Sequence, residues 1–153
     1  ENENSDAIVV ILHGLESNPK SPLVTKMSQA YLNKGFQCCL VSFRSCSAPI
    51  ESVEDSKSVY DVEDNLTIGA YHLGFTDDIN FITKRINEEI YPTKKIYLSG
   101  FSLGGNVILK FLGEIGETAW SRNIYGAVVT CVPFDPVACQ VKLDKGFNRA
   151  VYS

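Results

Sequence analysis

A serine hydroxyl becomes a useful nucleophile only when it is exposed, has a base within hydrogen-bond reach, and faces donors that stabilise the oxyanion its attack creates. Residues 100–104 read Gly-Phe-Ser-Leu-Gly. They follow a β-like run at 95–99 (KIYLS) and open an apolar stretch of helical spacing. Where a strand turns sharply into a helix, the apex residue is driven to strained backbone angles and its side chain projects above the sheet edge. Gly100 and Gly104, two positions either side of Ser102, remove Cβ atoms where strand and helix come together. The spacing therefore predicts a nucleophile elbow with Ser102 at its apex.

A second element lies at His13-Gly14-Leu15, just after the first apolar run of the chain. With a nucleophile on such an elbow, one oxyanion donor is the backbone N–H of the next residue, Leu103, and the other comes from the loop after an earlier strand, here assigned to Leu15. Gly14 lets the backbone turn that amide inward. His13 is expected to hold the loop through ring hydrogen bonds rather than to react. The base is missing from the pattern: no histidine follows Ser102. His72 precedes it and would require a rearranged order. Asp135 could pass for a triad acid, yet its position after a strand is commonly that of a turn or cap residue.

The elements needed to position these residues are legible in outline. Short continuous apolar runs at 7–12, 37–43, 95–99 and 125–132 alternate with amphipathic stretches, the pattern of a mostly parallel sheet with helices on both faces. Ser21 and Pro22 mark a helix start, with Leu23, Val24, Met27, Ala30 and Tyr31 on one face and Gly35 closing it. A second helix is expected from Thr76, with Asp77 and Asp78 on its dipole and Ile79, Ile82, Ile86 and Phe81 inward, stopping before Pro92. A third runs from Leu103 to about Ile115, apolar enough to be largely buried. Residues 47–74 break the rhythm: Glu51, Glu54, Asp55, Asp61, Glu63 and Asp64 face one lysine, and the segment reads as a long acidic surface loop or insertion. Residues 133–153 read as irregular, the start of a cap or lid region.

Composition narrows the remaining choices. The 153 residues, 44% apolar, fit one domain with a single core. A net charge of −4 with no basic run gives no footprint for nucleic acid. No apolar run reaches the roughly 20 residues of a spanning helix, so the chain reads as soluble and cytoplasmic, with membrane association left to segments outside it. Five cysteines without a C-x-x-C pair are poor material for a metal site or a disulfide framework, and the Asn65-Leu66-Thr67 sequon reads as a chance match. Neither metal nor cofactor is implied.

Taken together these residues resemble the YheT-like branch of the α/β-hydrolase superfamily and its eukaryotic alpha/beta-hydrolase-domain lipases. The likeness rests on His13-Gly14-Leu15-Glu16 with Ser21-Pro22, on Tyr71-His72-Leu73-Gly74 leading to Thr76-Asp77-Asp78, and on SGFSLGGN at 99–106. It continues through Val132-Pro133-Phe134-Asp135 and Lys145-Gly146-Phe147-Asn148-Arg149. The resemblance implies an esterase or lipase acting on acylglycerols, phospholipids or short esters through an acyl-serine intermediate. Some relatives instead pass the acyl group to an alcohol. It also implies that residues 1–153 are a partial domain, with strands upstream and the acid and histidine beyond Ser153. A piece without its base would be catalytically incompetent, and its open sheet edges would promote aggregation. One departure stands out: the family's Arg-Gly-Cys-Ser-Gly is here Arg44-Ser45-Cys46-Ser47-Ala48, without either glycine. Arg44 is expected to keep a structural pairing role with a partner the sequence does not name.

Overall fold

The computed structural model describes residue 2, residues 4–44, residue 46 and residues 71–152. Most of the acidic segment, the sequon and the two substituted glycine positions fall outside the described residues. The first strand, β1 (Ala7–Leu12), leads to helix α1 (Pro22–Leu32) and strand β2 (Gln37–Val41). After the acidic segment come α2 (Asp77–Arg85), β3 (Lys95–Phe101), α3 (Leu103–Ile115) and β4 (Ile124–Thr130). The strands pair in parallel in the order β2-β1-β3-β4. The α/β architecture expected from the alternating pattern is thus present.

β1 is the spine of this sheet because each of its side chains is apolar and each is buried, as a parallel strand covered on both faces requires. Ile8, Val10 and Leu12 point to one face, where they join Val107, Ile108 and Phe111 of α3 and Ile79 of α2. Val9 and Ile11 point to the other and pack with Val24 of α1. Each such fully buried aliphatic contributes roughly 1.5–3 kcal/mol, so the centre of the sheet is the rigid platform on which the loops at its carboxyl end are mounted.

The helices follow the predicted starts with narrower buried stripes. In α1 the buried positions are Val24 and Ser28, and Met27 and Tyr31 pack against the cluster of Val9, Ile11 and Val24. Leu23 and Ala30, expected inward, are exposed. Ser21 holds the N-cap position with extended backbone but makes no side-chain cap bond, and its buried hydroxyl has no partner among the described residues. Pro22 at the first turn, with its φ already fixed, starts the helix in its place. In α2 the inward row is Ile79 and Thr83, continued at helical spacing by Ile86 just past its end. Thr83 fits there because its hydroxyl donates back to the Ile79 carbonyl at 2.7 Å. Phe81, expected inward, is 52% exposed, since it lies off that row. A π-helical turn, Ile86–Ile90, carries the chain on to Tyr91 before Pro92.

Residues 133–153 depart from the irregular reading. They form α4 (Pro136–Leu143) and α5 (Gly146–Tyr152). The sequence signal was available: Asp135 accepts the Ala138 N–H at 2.9 Å as an N-cap and Pro136 occupies the first turn. Its weak apolar stripe hid the helix, and no residue of α4 is buried.

Candidate active site

Ser102 sits between β3 and α3 at φ 52° and ψ −125°, outside the regions a residue with a Cβ normally occupies. Such a conformation costs on the order of 1–3 kcal/mol and persists only where the surroundings over-determine it. The surroundings do so here. The Ser102 N–H donates to the Thr130 carbonyl at 2.9 Å, tying the bend to β4. Its own carbonyl accepts the Asn106 N–H at 3.1 Å, the first bond of α3. The side chain is half-buried rather than packed away, and its hydroxyl has no hydrogen-bond partner among the described residues.

The glycines make the bend possible by close approach. A Cβ on Gly104 would meet the carbonyl oxygens of Leu12 and His13 at 2.6 and 2.5 Å. One on Gly100 would lie 2.9 Å from the Gly104 carbonyl carbon. Gly14, from the loop after β1, comes so near the apex that a Cβ there would be 3.3 Å from the Ser102 Cβ. The structure therefore brings Gly14, Gly100, Gly104 and Ser102 together at the carboxyl end of the sheet, where α/β folds place ligands.

The loop after β1 is held by its histidine. His13 is fully buried, stands edge-on to Phe43 with ring centroids 4.9 Å apart, and has both ring nitrogens engaged. Nδ1 is 2.7 Å from the Gly14 carbonyl oxygen, and Nε2 accepts the Phe43 N–H at 3.3 Å. This pair of bonds selects the neutral tautomer with its proton on Nδ1. Burial pushes the ring pKa below its usual value, against a smaller opposite pull from the Gly14 carbonyl. The Gly14 carbonyl also accepts the Ser17 N–H at 3.3 Å. Because the peptide unit is planar and trans, a carbonyl anchored toward His13 turns the Leu15 N–H to the opposite side. That N–H makes no hydrogen bond among the described residues, and the Leu15 side chain is 65% exposed. Leu103 is the first residue of α3, and first-turn N–H groups have no acceptor within the helix.

Neither histidine ring hydrogen-bonds the serine. His72 lies at the surface, its Nδ1 on the Leu73 carbonyl at 2.7 Å and its ring edge-on to Phe75. Asp135 is occupied as the cap of α4. Among the described residues, no group of three His, Cys, Asp or Glu could hold a metal ion. No described helix is long and apolar enough to cross a membrane. All five cysteines are free, and burial followed by its neighbour Cys38 raises the Cys39 thiol to about 11.

Three residues that frame the site carry no catalytic signature in sequence. Asn106 accepts the Gly74 N–H at 2.9 Å and donates to the Pro133 carbonyl at 3.0 Å, bridging two loops from the first turn of α3. Arg44 meets Asp78 through Nε and Nη2, the latter at 2.5 Å, and its guanidinium lies 4.3 Å from the Phe75 ring centroid. Asp78 is thus the partner left open for Arg44, and their hydrogen bond holds the guanidinium's pKa above its ordinary value. Tyr71 stacks on Phe43 with centroids 5.2 Å apart and receives the Glu16 N–H on its hydroxyl at 2.7 Å. An open groove of about 1150 Å³ runs beside the β1 loop, with Leu15, Glu16, Ser21, Ser42, Cys46 and Tyr71 in its wall. Ser102 is not part of that wall.

Comparison with known proteins gives a consistent direction. The chain is similar to YheT of Escherichia coli strain K12, with 29% identity over 92% of this chain and 36% of that protein. It is similar to the medium-chain fatty acid ethyl ester synthase/esterase 2 of Saccharomyces cerevisiae, with 26% identity over 95% of this chain and 29% of that protein. The monoacylglycerol lipase of the same yeast shares 25% identity over 87% of this chain and 26% of its own length. The chain thus spans about a third of the length of the curated relatives it matches. No family model and no solved structure matches it. These relatives and the parallel sheet indicate the α/β-hydrolase superfamily, and the partial coverage fits a partial domain.

Proposed function

We propose that these residues form the nucleophile half of a serine hydrolase of carboxylic esters, with Ser102 as the attacking group. The observation that carries the reading is the strained backbone of Ser102, φ 52° and ψ −125°, at a bend approached closely by the Gly14 turn and with a hydroxyl that has no hydrogen-bond partner among the described residues. In the proposed reaction Ser102 Oγ bonds to the ester carbonyl carbon and gives its proton to a base. The carbonyl oxygen becomes an oxyanion held by the N–H groups of Leu15 and Leu103. Collapse expels the alcohol, which takes the proton, and water then releases the acid from the acyl-serine by the same steps. Removing one oxyanion donor typically costs roughly 2.7–4 kcal/mol in the transition state.

The base and acid are proposed to come from sequence outside residues 1–153, since His13 is engaged at both nitrogens and His72 makes no bond to Ser102. Helices α4 and α5, whose described side chains are exposed or nearly so, are proposed as the start of a cap. The substrate class follows from the relatives' names: acylglycerols or fatty acyl esters, with acyl transfer to an alcohol as a related outcome. The missing base favours one competing reading, that residues 1–153 alone are catalytically inert.

A fluorophosphonate probe tests the nucleophile in the full-length protein. Labelling that disappears in Ser102→Ala is the expected result. Labelling that persists in Ser102→Ala removes the assignment. Ester turnover by residues 1–153 alone at ordinary hydrolase rates would contradict the inert reading, and product analysis with added alcohol separates transfer from hydrolysis.

A further inference from the structure

We propose that Tyr71 is a positioning residue for the oxyanion loop, acting through the hydrogen bond its hydroxyl receives from the Glu16 N–H. The proposal rests on the assignment of Ser102 and Leu15 above. Tyr71 lies 55 positions from Glu16 in sequence, yet the two are joined at 2.7 Å. Glu16 has φ 51°, in the left-handed region that disfavours a side chain, so the turn Gly14–Ser17 holds its shape only under external constraint. The turn's own contribution is a single 3.3 Å bond from the Ser17 N–H to the Gly14 carbonyl.

Two further contacts constrain it, and they form one network. His13 fixes the Gly14 carbonyl at one end, and its other nitrogen takes the Phe43 N–H. The Phe43 ring, fully buried, is stacked with Tyr71 at an interplanar angle of 7°. The Tyr71 hydroxyl returns to the loop at Glu16. The peptide that carries the Leu15 N–H is thus bracketed, with its Gly14 side fixed by His13 and the residue after it fixed by Tyr71. Burial, then a hydrogen bond with Cys46, raises the Tyr71 pKa against a smaller opposite pull from the Glu16 N–H, and the hydroxyl oxygen accepts that N–H through a lone pair. A donor misplaced by about 1 Å can lose on the order of a hundredfold in rate. A ring without the hydroxyl would keep the stack and lose the aim.

Tyr71→Phe and Tyr71→Leu in the full-length protein, read against Ser102→Ala, test this. With p-nitrophenyl butyrate as substrate, Tyr71→Phe is expected to lower kcat at least tenfold, leave KM within about twofold and leave the melting temperature near wild type. Inhibition by a trifluoromethyl ketone, whose adduct mimics the tetrahedral oxyanion, should weaken by a factor similar to the loss in kcat. Tyr71→Leu, which also removes the stack, should lower the melting temperature as well. A Tyr71→Phe enzyme with kcat within twofold of wild type overturns the proposal. So does a loss of kcat that tracks melting temperature across both variants, which would make the residue one of packing alone. If Tyr71→Phe reduces the folded fraction, the single-turnover rate of fluorophosphonate labelling in the isolated monomer decides by the same criterion. Failure of the underlying reading shows in a separate arm, as labelling that survives Ser102→Ala, and it would remove the Tyr71 role with it.

Discussion

Gly104 rests on the backbone of β1: a Cβ in its place would lie 2.5 Å from the carbonyl oxygen of His13. The obstacle is main chain throughout, because the Leu12 carbonyl oxygen is nearly as close at 2.6 Å. Neither atom can swing aside as a side-chain tip would. Gly104→Ala must therefore move α3 away from the β1 loop, and a destabilisation of about 1–3 kcal/mol is expected from such overpacking. Urea denaturation measures it, and kcat should fall as well because the shift separates Ser102 from the Gly14 turn. Gly113, further along the same helix, has nothing within 4 Å of such a Cβ. Gly113→Ala should instead stabilise by about 0.5–1 kcal/mol through helix propensity. An equal effect of the two substitutions would show that close approach is not what selects glycine at residue 104.

The protonation of His13 links this loop to pH. The folded state holds the ring neutral, with its pKa lowered from 6.5 by burial, while the unfolded chain takes up a proton near the ordinary value. Below 6.5 the unfolded state then binds more protons than the folded one, so stability rises with pH across that window. The contribution of the neutral ring is fully present above 6.5 and is lost as pH falls below it toward the lowered folded value. Urea midpoints taken from about pH 7.5 down to about pH 5.5 should decline. His13→Asn lowers stability overall but should flatten that decline. A slope unchanged by the substitution would assign the pH dependence to other groups.

What could be read from the sequence divides along physical lines. β1 is legible to the residue, because a strand buried on both faces is a short unbroken apolar run and AIVVIL is rich in β-branched residues. The bend at Ser102 was legible because its glycines are demanded by backbone contacts that leave no alternative. Tyr71, Asn106 and the Arg44–Asp78 pair were not, since each acts across 27 or more positions on a partner that only the folded chain brings near. Helix α4 was missed for a different reason. Its cap and proline are local and visible, but a helix that buries nothing leaves no periodic stripe.

β4 presents an apolar surface that should govern behaviour in solution. Val128 is 60% exposed and Trp120 65%, and Tyr125, also exposed, stands edge-on to the Trp120 ring. β4 is also a terminal strand of the described sheet, so unpaired main-chain groups adjoin the apolar patch. Residues 1–153 expressed alone are expected to self-associate, which size-exclusion chromatography across a tenfold concentration range would reveal. Val128→Lys should shift the population toward monomer without changing the unfolding midpoint by more than about 0.5 kcal/mol, as for a surface substitution. A monomer at all concentrations, before any substitution, would mean that the exposed face of β4 does not drive association.

The strain at Ser102 makes a prediction that separates function from stability. Any residue with a Cβ at φ 52° and ψ −125° bears the conformational cost, so Ser102→Ala should abolish labelling while leaving stability near wild type. Glycine alone is relieved there. The relief, roughly 1–3 kcal/mol, is partly offset by the 0.5–1 kcal/mol of extra chain entropy glycine brings to the unfolded state. Ser102→Gly should therefore be more stable than Ser102→Ala by about 1 kcal/mol, a difference that urea denaturation of the two inactive variants side by side resolves. The comparison avoids any contribution from the hydroxyl, which makes no hydrogen bond among the described residues in the first place. A Ser102→Gly variant less stable than Ser102→Ala by about 0.5–1 kcal/mol, glycine's entropy cost unopposed, would show that the bend holds no strain, and the physical reason for reading Ser102 as an exposed, forced nucleophile would be gone.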